Sequence, residues 1–479
     1  RDDIDKYNNQ LNDWERNNGF MINIIDRYVS IDHYEKTTVY ILEKLISFSK
    51  TGNPGQKEYN QAYLKKCNMN FEDGIKELAL KKAFVNSKVL LIYGAAGTGK
   101  TTLINYLSNL MSNQKKLFLT KTHTAKQNLQ RRIDNPGCDS KFTSIDSFTR
   151  TDKSSEYDVV FVDECSIIDN RTMQKFLEKI DPNTFLVLAG DIHQIESIDF
   201  GNWFLYAKEL IKSDGSNIEL MNTWRTKDPN IVSLWDEVRI RGALITEKLA
   251  IGGSFSENIG EKIFEKLDDD EVILCLNYDG KFGLNNINSY FQSKNDCGEP
   301  ITWKEWIYKA GDHILFNESK RFPLLYNNLK GKIIKIEKTE EDISFTIDVD
   351  TNLTKQACDK EKIEFISAQD GLTRIRFTVY ANDDSNDDNV RMCSVIPFQL
   401  AYAVSIHKAQ GLEYNSVKII IPKSNSEKIN HGIFYTAITR AKKKLKIFWS
   451  AEIMNEIVKS FGEEDTIHQS LEIIREKLL

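Results

Sequence analysis

The sequence predicts an α/β protein built on two parallel sheets flanked by helices, with a helical N-terminal region and a small β insert. Three observations carry this expectation. From about residue 71, short and continuously apolar segments ("KVLLIYG", "KLFLT", "DVVFVDE", "TFLVLAGD") alternate with helix-like stretches. Strands without a polar side are buried on both faces, as in a parallel sheet between helices. A second block of the same kind begins at "EVILCLN" (271–277) and resumes at "FQLAYAVS" and "SVKIIIP". Between them, "GKIIKIEK", "ISFTIDVD" and "TRIRFTVYA" alternate apolar and polar residues with period two, the mark of half-exposed antiparallel strands.

Taken in order, residues 1–70 read as helical with no strand-like run. Ile25, Tyr28, Ile31, Tyr34, Val39, Leu42 and Leu45 recur at near-helical spacing, until "TGNPG" at 51–55 breaks the pattern. Residues 71–215 form the first α/β domain. Residues 216–300 and 395–455 form the second, and 301–394 form a β-barrel inserted into it. Residues 456–479 form a C-terminal helix that docks through Ile467, Leu471, Ile474 and Leu478. The acidic stretch "NDDSNDDN" (382–389) reads as a solvated loop.

Bulk properties narrow the function. Net charge is −6, from 64 basic and 70 acidic residues, so a nucleic-acid site has to be a local basic groove rather than a uniformly positive surface. No apolar run reaches the ~20 residues of a membrane span. The chain begins with Arg1, and its polar, acidic opening "RDDIDKYNNQ" is unlike a secretory signal. The 7 cysteines are scattered without a C-x-x-C pair, which argues against a disulfide framework and a zinc site and for a cytoplasmic setting.

"GAAGTGKTT" supplies the chemistry. Gly94, Ala95, Ala96, Gly97, Thr98, Gly99, Lys100, Thr101 and Thr102 lie between a strand and a helix as G-x-x-x-x-G-K-T. Glycines allow backbone N–H groups to turn toward phosphate oxygens; Lys100 reaches the β- and γ-phosphates of ATP, and the Thr101 hydroxyl binds Mg²⁺. The helix N-terminus adds its dipole. The strand in "DVVFVDECS" delivers Asp163 and Glu164 to the carboxyl edge of the sheet, where ligands bind in such folds. Asp163 would hold Mg²⁺ through water and Glu164 would polarise the attacking water. In "VLAGDIHQIE", Gln194 is placed to hydrogen-bond the γ-phosphate or that water.

These motifs, with "KTHTAKQNLQRRI", "TSIDSF", "MNTWRT", "AYAVSIHKAQGLEYNSVKI" and "FYTAITRAKKKL", fall in the order of the superfamily 1 helicases, and the pattern resembles the RecD/Dda branch, superfamily 1B. The resemblance covers roughly 75–450. It implies two RecA-like P-loop domains with ATP in the cleft between them and single-stranded DNA crossing both, moved 5′ to 3′. Arg225 and Arg440 resemble the second domain's arginines that contact the γ-phosphate. Glu413 matches a residue facing the nucleotide. His407 and Lys408 match contacts to the strand, as do Thr122, His123 and Thr124 in the first domain. Phe148, Phe200 and Trp203 are candidates for stacking on bases, worth ~1–3 kcal/mol each. RNA is the alternative strand, since no motif distinguishes the two.

Two departures stand out. Family members carry a glutamine shortly before the phosphate loop that reads adenine; the stretch "FEDGIKELALKKAFVNS" has none, and Gln61 lies 33 residues before Gly94. The branch also inserts a duplex-splitting pin before the Asp-Glu strand, where this chain has only "RTDKSSE". That shortness, with the extra N-terminal region, supports another reading: a nucleic-acid-triggered ATPase switch that signals to a protein partner through the N-terminal helices. Finally, "YKAGDHILFNESKRFPLLYNNLKGKIIKI" resembles the SH3-like barrel of the same branch.

Overall fold

A computed structural model describes the chain except residues 1, 26–27, 68–73, 135, 138, 152–155, 198, 253–254, 269, 320, 382–393, 462–465 and 479. The acidic stretch and most of "RTDKSSE" therefore lie outside the described residues. The chain forms two compact units, Arg1–Arg225 with Gly462–Leu479, and Thr226–Phe461. Both are RecA-like in architecture, each a parallel sheet between helices.

In the first unit two helices, Asp2–Gln10 and Asp13–Asn17, precede a hairpin of β1 (Ile22–Ile25) and β2 (Tyr28–Ile31). This corrects the all-helical expectation for residues 1–70. Four-residue strands are too short for period two to stand out, and their apolar residues mimic helical spacing. The helix that follows, Asp32–Ser49, begins only at Asp32.

The unit's sheet contains β3 (Val89–Gly94), β4 (Lys116–Thr120), β5 (Ser140–Ser144), β6 (Val159–Val162), β7 (Phe185–Gly190) and β8 (Asn217–Leu220). They are parallel, in the order β5-β4-β6-β7-β3-β8. Alternation along β3 divides the core. Leu90 and Ile92 face the helices Gly74–Lys82 and Lys100–Leu110, whereas Val89, Leu91 and Tyr93 face the opposite layer. That second layer includes Ile41, Leu42 and Leu45 of the helix Asp32–Ser49, Trp203 and Phe204, and Leu471 and Ile474 of the helix Thr466–Leu478. The helices Asp32–Ser49 and Thr466–Leu478 thus complete one core, and Asn170 Nδ2 ties in the first of them by donating to Thr38 Oγ1 (2.7 Å). Ile467 lies outside the described side chains.

The second unit's sheet runs β19-β10-β20-β21-β9 and is parallel, with β9 (Ser256–Glu257), β10 (Glu271–Cys275), β19 (Ala403–Ser405), β20 (Tyr414–Ile420) and β21 (Ala441–Phe448). Inserted between β10 and β19 are a hairpin of β11 (Ile301–Trp303) and β12 (Trp306–Tyr308) and a six-stranded antiparallel sheet. That sheet runs β16-β17-β15-β14-β13-β18, with β13 (His313–Phe316), β14 (Lys330–Lys338), β15 (Asp342–Val349), β16 (Glu364–Gln369), β17 (Leu372–Tyr380) and β18 (Phe398–Leu400). The expected insert ended at 394, yet β18 pairs with β13 before the chain enters β19. Buried Asp312 anchors the junction, accepting hydrogen bonds from Gln292 Nε2 (2.6 Å), Asn295 Nδ2 (2.8 Å), the Tyr402 hydroxyl (2.8 Å) and Lys309 N (2.9 Å).

The helix Asp32–Ser49 is predicted to be part of the first unit's core rather than an appendage. Leu45→Ala should lower unfolding free energy by about 2–5 kcal/mol, measured by urea denaturation. A loss under ~0.5 kcal/mol, the usual range of surface substitutions, would contradict this.

Candidate functional site

The carboxyl ends of β3, β6, β7 and β8 lie side by side at one edge of the first sheet, and each delivers part of one constellation. After β3 the chain enters the glycine-rich loop. Gly97 and Gly99 sit at φ +79° and +87°, backbone conformations that favour glycine. Buried Thr98 braces the turn by donating from Oγ1 to Ala95 O (2.9 Å). Lys100 opens the following helix, and its Nζ donates to Gly94 O (2.7 Å) and Ala95 O (3.0 Å). Burial holds the Lys100 ammonium below the usual lysine range, although Asp191 and Asp163 pull the other way.

At the end of β6, Asp163 Oδ2 accepts from Thr101 Oγ1 (3.3 Å) and Asp163 Oδ1 accepts from Glu164 N (2.9 Å). Burial pushes the Asp163 carboxyl up, opposed by Lys100. Glu164 is held at φ +60°, a left-handed conformation that a non-glycine residue adopts at a cost. Paired hydroxyl and carboxylate oxygens suit a hard cation such as Mg²⁺, which takes only one or two protein oxygens beside phosphate and water. No cluster of three or more metal-ligating His, Cys, Asp or Glu occurs among the described residues.

At the end of β7, buried Asp191 accepts from His193 N (3.1 Å) and from Gln194 Nε2 (3.1 Å), which fixes the Gln194 amide with its oxygen free of that contact.

After β8 the chain returns to the loop. Trp224 N donates to Gly97 O (2.7 Å), and Thr223 Oγ1 donates to Ala96 O (3.2 Å). A Cβ on Gly97 would stand 2.4 Å from the Arg225 Cβ. Arg225 thus belongs to the same unit as the phosphate loop, close enough to depress Lys100 further. This corrects the expectation that it comes from the second unit: β8 pairs with β3, so the first unit continues to Arg225, ten residues past the expected boundary at 215.

Sequence reasoning missed Lys76. It is 8 % exposed on the helix Gly74–Lys82, its Nζ lies 2.8 Å from where a Gly99 Cβ would be, and it stands 5.6 Å from the centroid of the half-exposed Trp224 ring. The missing upstream glutamine was the available signal. An ammonium only donates, so it has no means of accepting from the adenine amino group. Gln61 is exposed.

Other expectations fare differently. Thr122 caps the helix His123–Arg132, accepting from Ala125 N (3.1 Å), and lies 3.5 Å from Glu164 Oε2. His123 is exposed, yet partial desolvation of its ring, with Lys126 nearby, lowers its pKa. Thr124 is buried. Phe148 and Trp203 do not present faces to a strand. Phe148 packs in the core near Phe176, and Trp203 is 0 % exposed with Nε1 donating to Ile168 O (2.8 Å). Both lie on helix faces turned to the sheet, which outweighs their nearness to motifs. Phe200 is exposed and packs on Tyr34.

In the second unit, Arg440 is 2 % exposed and donates to Thr436 O (2.9 Å), Leu412 O (3.2 Å) and Thr439 Oγ1 (3.1 Å). Glu413 pairs with Lys442 Nζ (2.9 Å). His407 is exposed, and Lys408 Nζ donates to Gln399 Oε1 (2.7 Å). No helix among the described residues is long and apolar enough to cross a membrane.

Comparison with known proteins matches residues 77–249 to an AAA domain and 400–447 to a UvrD-like helicase C-terminal domain. An uncharacterized protein of Methanocaldococcus jannaschii is 25 % identical over 87 % of this chain and 40 % of its own length. The RecBCD enzyme subunit RecD of Buchnera aphidicola is 23 % identical over 82 % of this chain and 74 % of its own. The ATP-dependent RecD2 DNA helicase of Deinococcus radiodurans is 22 % identical over 62 % of this chain and 36 % of its own. The crystal structure of Bacteroides Pif1 bound to ssDNA aligns over 80 % of this chain and 94 % of its own at 14 % identity, with a TM-score of 0.49.

The burial of Trp203 predicts a structural role. Trp203→Phe should cost about 1–3 kcal/mol in denaturant unfolding, from the unpaired Ile168 carbonyl and lost contacts. Its affinity for single-stranded DNA, measured by fluorescence anisotropy, should stay within about twofold of wild type, well short of the ~1–3 kcal/mol of a stacked base. A tenfold loss of affinity with stability intact would contradict the assignment.

Proposed function

We propose, for a chain that belongs to the RecD-like, superfamily 1B helicases, an ATP-dependent motor that moves along single-stranded DNA. The observation that carries this is the convergence of Lys100, Thr101, Asp163, Glu164, Gln194 and Arg225 on one sheet edge around a glycine-rich loop.

The loop amides and Lys100 hold the β- and γ-phosphates. Lys100 now donates to loop carbonyls, and a triphosphate offers it stronger, charged acceptors. Thr101 and Asp163 would hold Mg²⁺, which when bound neutralises phosphate charge. Glu164 orients and polarises the attacking water, and Gln194 positions the γ-phosphate or that water through its free amide oxygen. Arg225 takes up charge that builds on the transferred phosphoryl group, a role worth ~10³–10⁵ in rate where an arginine supplies it.

In this reading ATP sits in a cleft closed by the second unit, and Glu413 and Arg440 report its state to that unit. For Arg440 this requires exchanging one of its present carbonyl partners for phosphate. His407, Lys408, Thr122, His123 and Thr124 contribute backbone-directed contacts that grip DNA without reading sequence. Movement 5′ to 3′ follows the family resemblance. RecD2 of Deinococcus radiodurans is named an ATP-dependent DNA helicase, and the Bacteroides Pif1 structure contains single-stranded DNA. A second reading, an ATPase switch without processive unwinding, is favoured by the short link from Arg150 to Val159 where a pin would stand.

Single-stranded DNA is expected to stimulate ATP hydrolysis, and Lys100→Ala to lower it by at least roughly 10²-fold, the scale on which removal of one preorganised donor acts. The assay is phosphate release with and without DNA. Duplexes with matched 5′ and 3′ tails, in DNA and RNA, then separate motor from switch. Unwinding of the 5′-tailed DNA alone supports the motor. Stimulated hydrolysis without unwinding supports the switch, and hydrolysis indifferent to nucleic acid contradicts both.

A further inference from the structure

Lys76 has no part in the function proposed above, yet it stands against the phosphate loop. The helix Gly74–Lys82 packs beside the helix Lys100–Leu110 in the first unit. This packing brings Lys76 Nζ to 2.8 Å and Cε to 3.2 Å from where a Gly99 Cβ would stand, with Thr102 Oγ1 3.7 Å from the same point. Lys100 instead folds back onto Gly94 O and Ala95 O, at the start of the loop. Two ammonium groups therefore bracket the loop, one at each end.

Lys76 is set apart by the lack of an oxygen partner. Three lysines are buried among the described residues: Lys76, Lys116 and Lys418. Lys116 Nζ donates to Pro136 O (3.0 Å), and Lys418 pairs with Glu271 Oε2 (3.6 Å). Lys76, 8 % exposed, makes no hydrogen bond or ion pair with the described residues, and its charge rests against the Trp224 ring. Buried charges are normally paired or hydrogen-bonded, and an aromatic face offers attraction but no acceptor oxygen. Lys76 keeps some accessible surface, and its Nζ is not among the enclosed, unpartnered side-chain atoms of the described residues. An anion can therefore reach it.

We propose that Lys76 binds the α-phosphate of a nucleotide held in the loop, as a second ammonium beside Lys100. Placement selects this ligand. In such a loop the lysine at the position of Lys100 reaches the β- and γ-phosphates, while backbone N–H groups cradle the α- and β-phosphates. Lys76 stands at the other end, by Gly99 and Thr102, where the α-phosphate lies. That group is common to all nucleotides and survives hydrolysis. Lys76 thus strengthens binding of either purine nucleotide alike, in place of the adenine-reading glutamine that this chain lacks. It also holds substrate, transition state and diphosphate product equally, so it acts on KM and product affinity rather than on the chemical step. The proposal rests on the nucleotide-binding function above and names a further residue of that site.

The test is calorimetric titration of ADP and GDP into the full chain, with steady-state ATP hydrolysis. Wild type should bind both diphosphates. Lys76→Met keeps the apolar stem and removes the charge. Affinity for both should fall roughly tenfold or more, the scale of one hydrogen bond to a charged group. KM for ATP should rise in step while kcat stays within about twofold. Lys76→Arg, which keeps the charge, should restore affinity to within about threefold of wild type. Thermal unfolding verifies folding, and Lys76→Leu replaces the Met variant if that one does not fold. Diphosphate affinity within about twofold of wild type in a folded neutral variant overturns the assignment. No GDP binding by wild type, or a loss confined to ADP, overturns it in favour of a base contact. A kcat that falls with affinity and is not restored by arginine overturns it in favour of a structural brace. Absence of ADP binding to wild type overturns the underlying nucleotide-binding function instead.

Discussion

One backbone hydrogen bond, from Trp224 N to Gly97 O at 2.7 Å, is the constraint on which the phosphate site depends. It joins the end of the first unit to its glycine-rich loop, and it is possible only because Gly97 has no side chain where Arg225 approaches. Pairing of β8 with β3 brings the chain to this point, and the bond fixes where Arg225 begins. Lys100, Asp163, Asp191 and Arg225 then share one desolvated volume. Burial disfavours charge on both Lys100 and Asp163, so the ligand-free site holds its charges at a cost. In the function proposed above, a triphosphate and its cation would offer both groups charged partners.

Much of this was legible in the chain. The parallel strands were readable because continuous apolarity is imposed by burial on both faces, and the loop, Asp163, Glu164 and Gln194 because each sits where an apolar strand ends. Legibility failed where tertiary contacts decide. The unit to which Arg225 belongs depends on β8 pairing with a strand more than a hundred residues earlier. Trp203 and Phe148 lie beside motifs, yet the face of a helix, not its neighbourhood in sequence, determines exposure. The hairpin Ile22–Ile31 is too short to show its period. Lys76 belongs to no motif and becomes visible only when its helix is packed beside Gly99.

The second unit shows how an insert becomes part of a site. The antiparallel sheet is not a separate bead, because β18 belongs to it and two residues later β19 belongs to the parallel sheet. Asp312 gathers four hydrogen bonds and fixes the insert to the helix Leu284–Ser293. That rigidity places Gln399 beside Lys408. The lysine's inability to accept determines the orientation of the amide, whose oxygen takes the Lys408 hydrogen bond.

The central claim is that Lys100 and Arg225, from one unit, act on the same phosphoryl group. A crystal structure with ADP and aluminium fluoride tests it most directly. The account predicts the fluoroaluminate within hydrogen-bonding distance of both Lys100 Nζ and the Arg225 guanidinium, with Thr101 and Asp163 beside the bound cation. Nucleotide bound elsewhere, or Arg225 turned away from a fluoroaluminate held by Lys100, would contradict it.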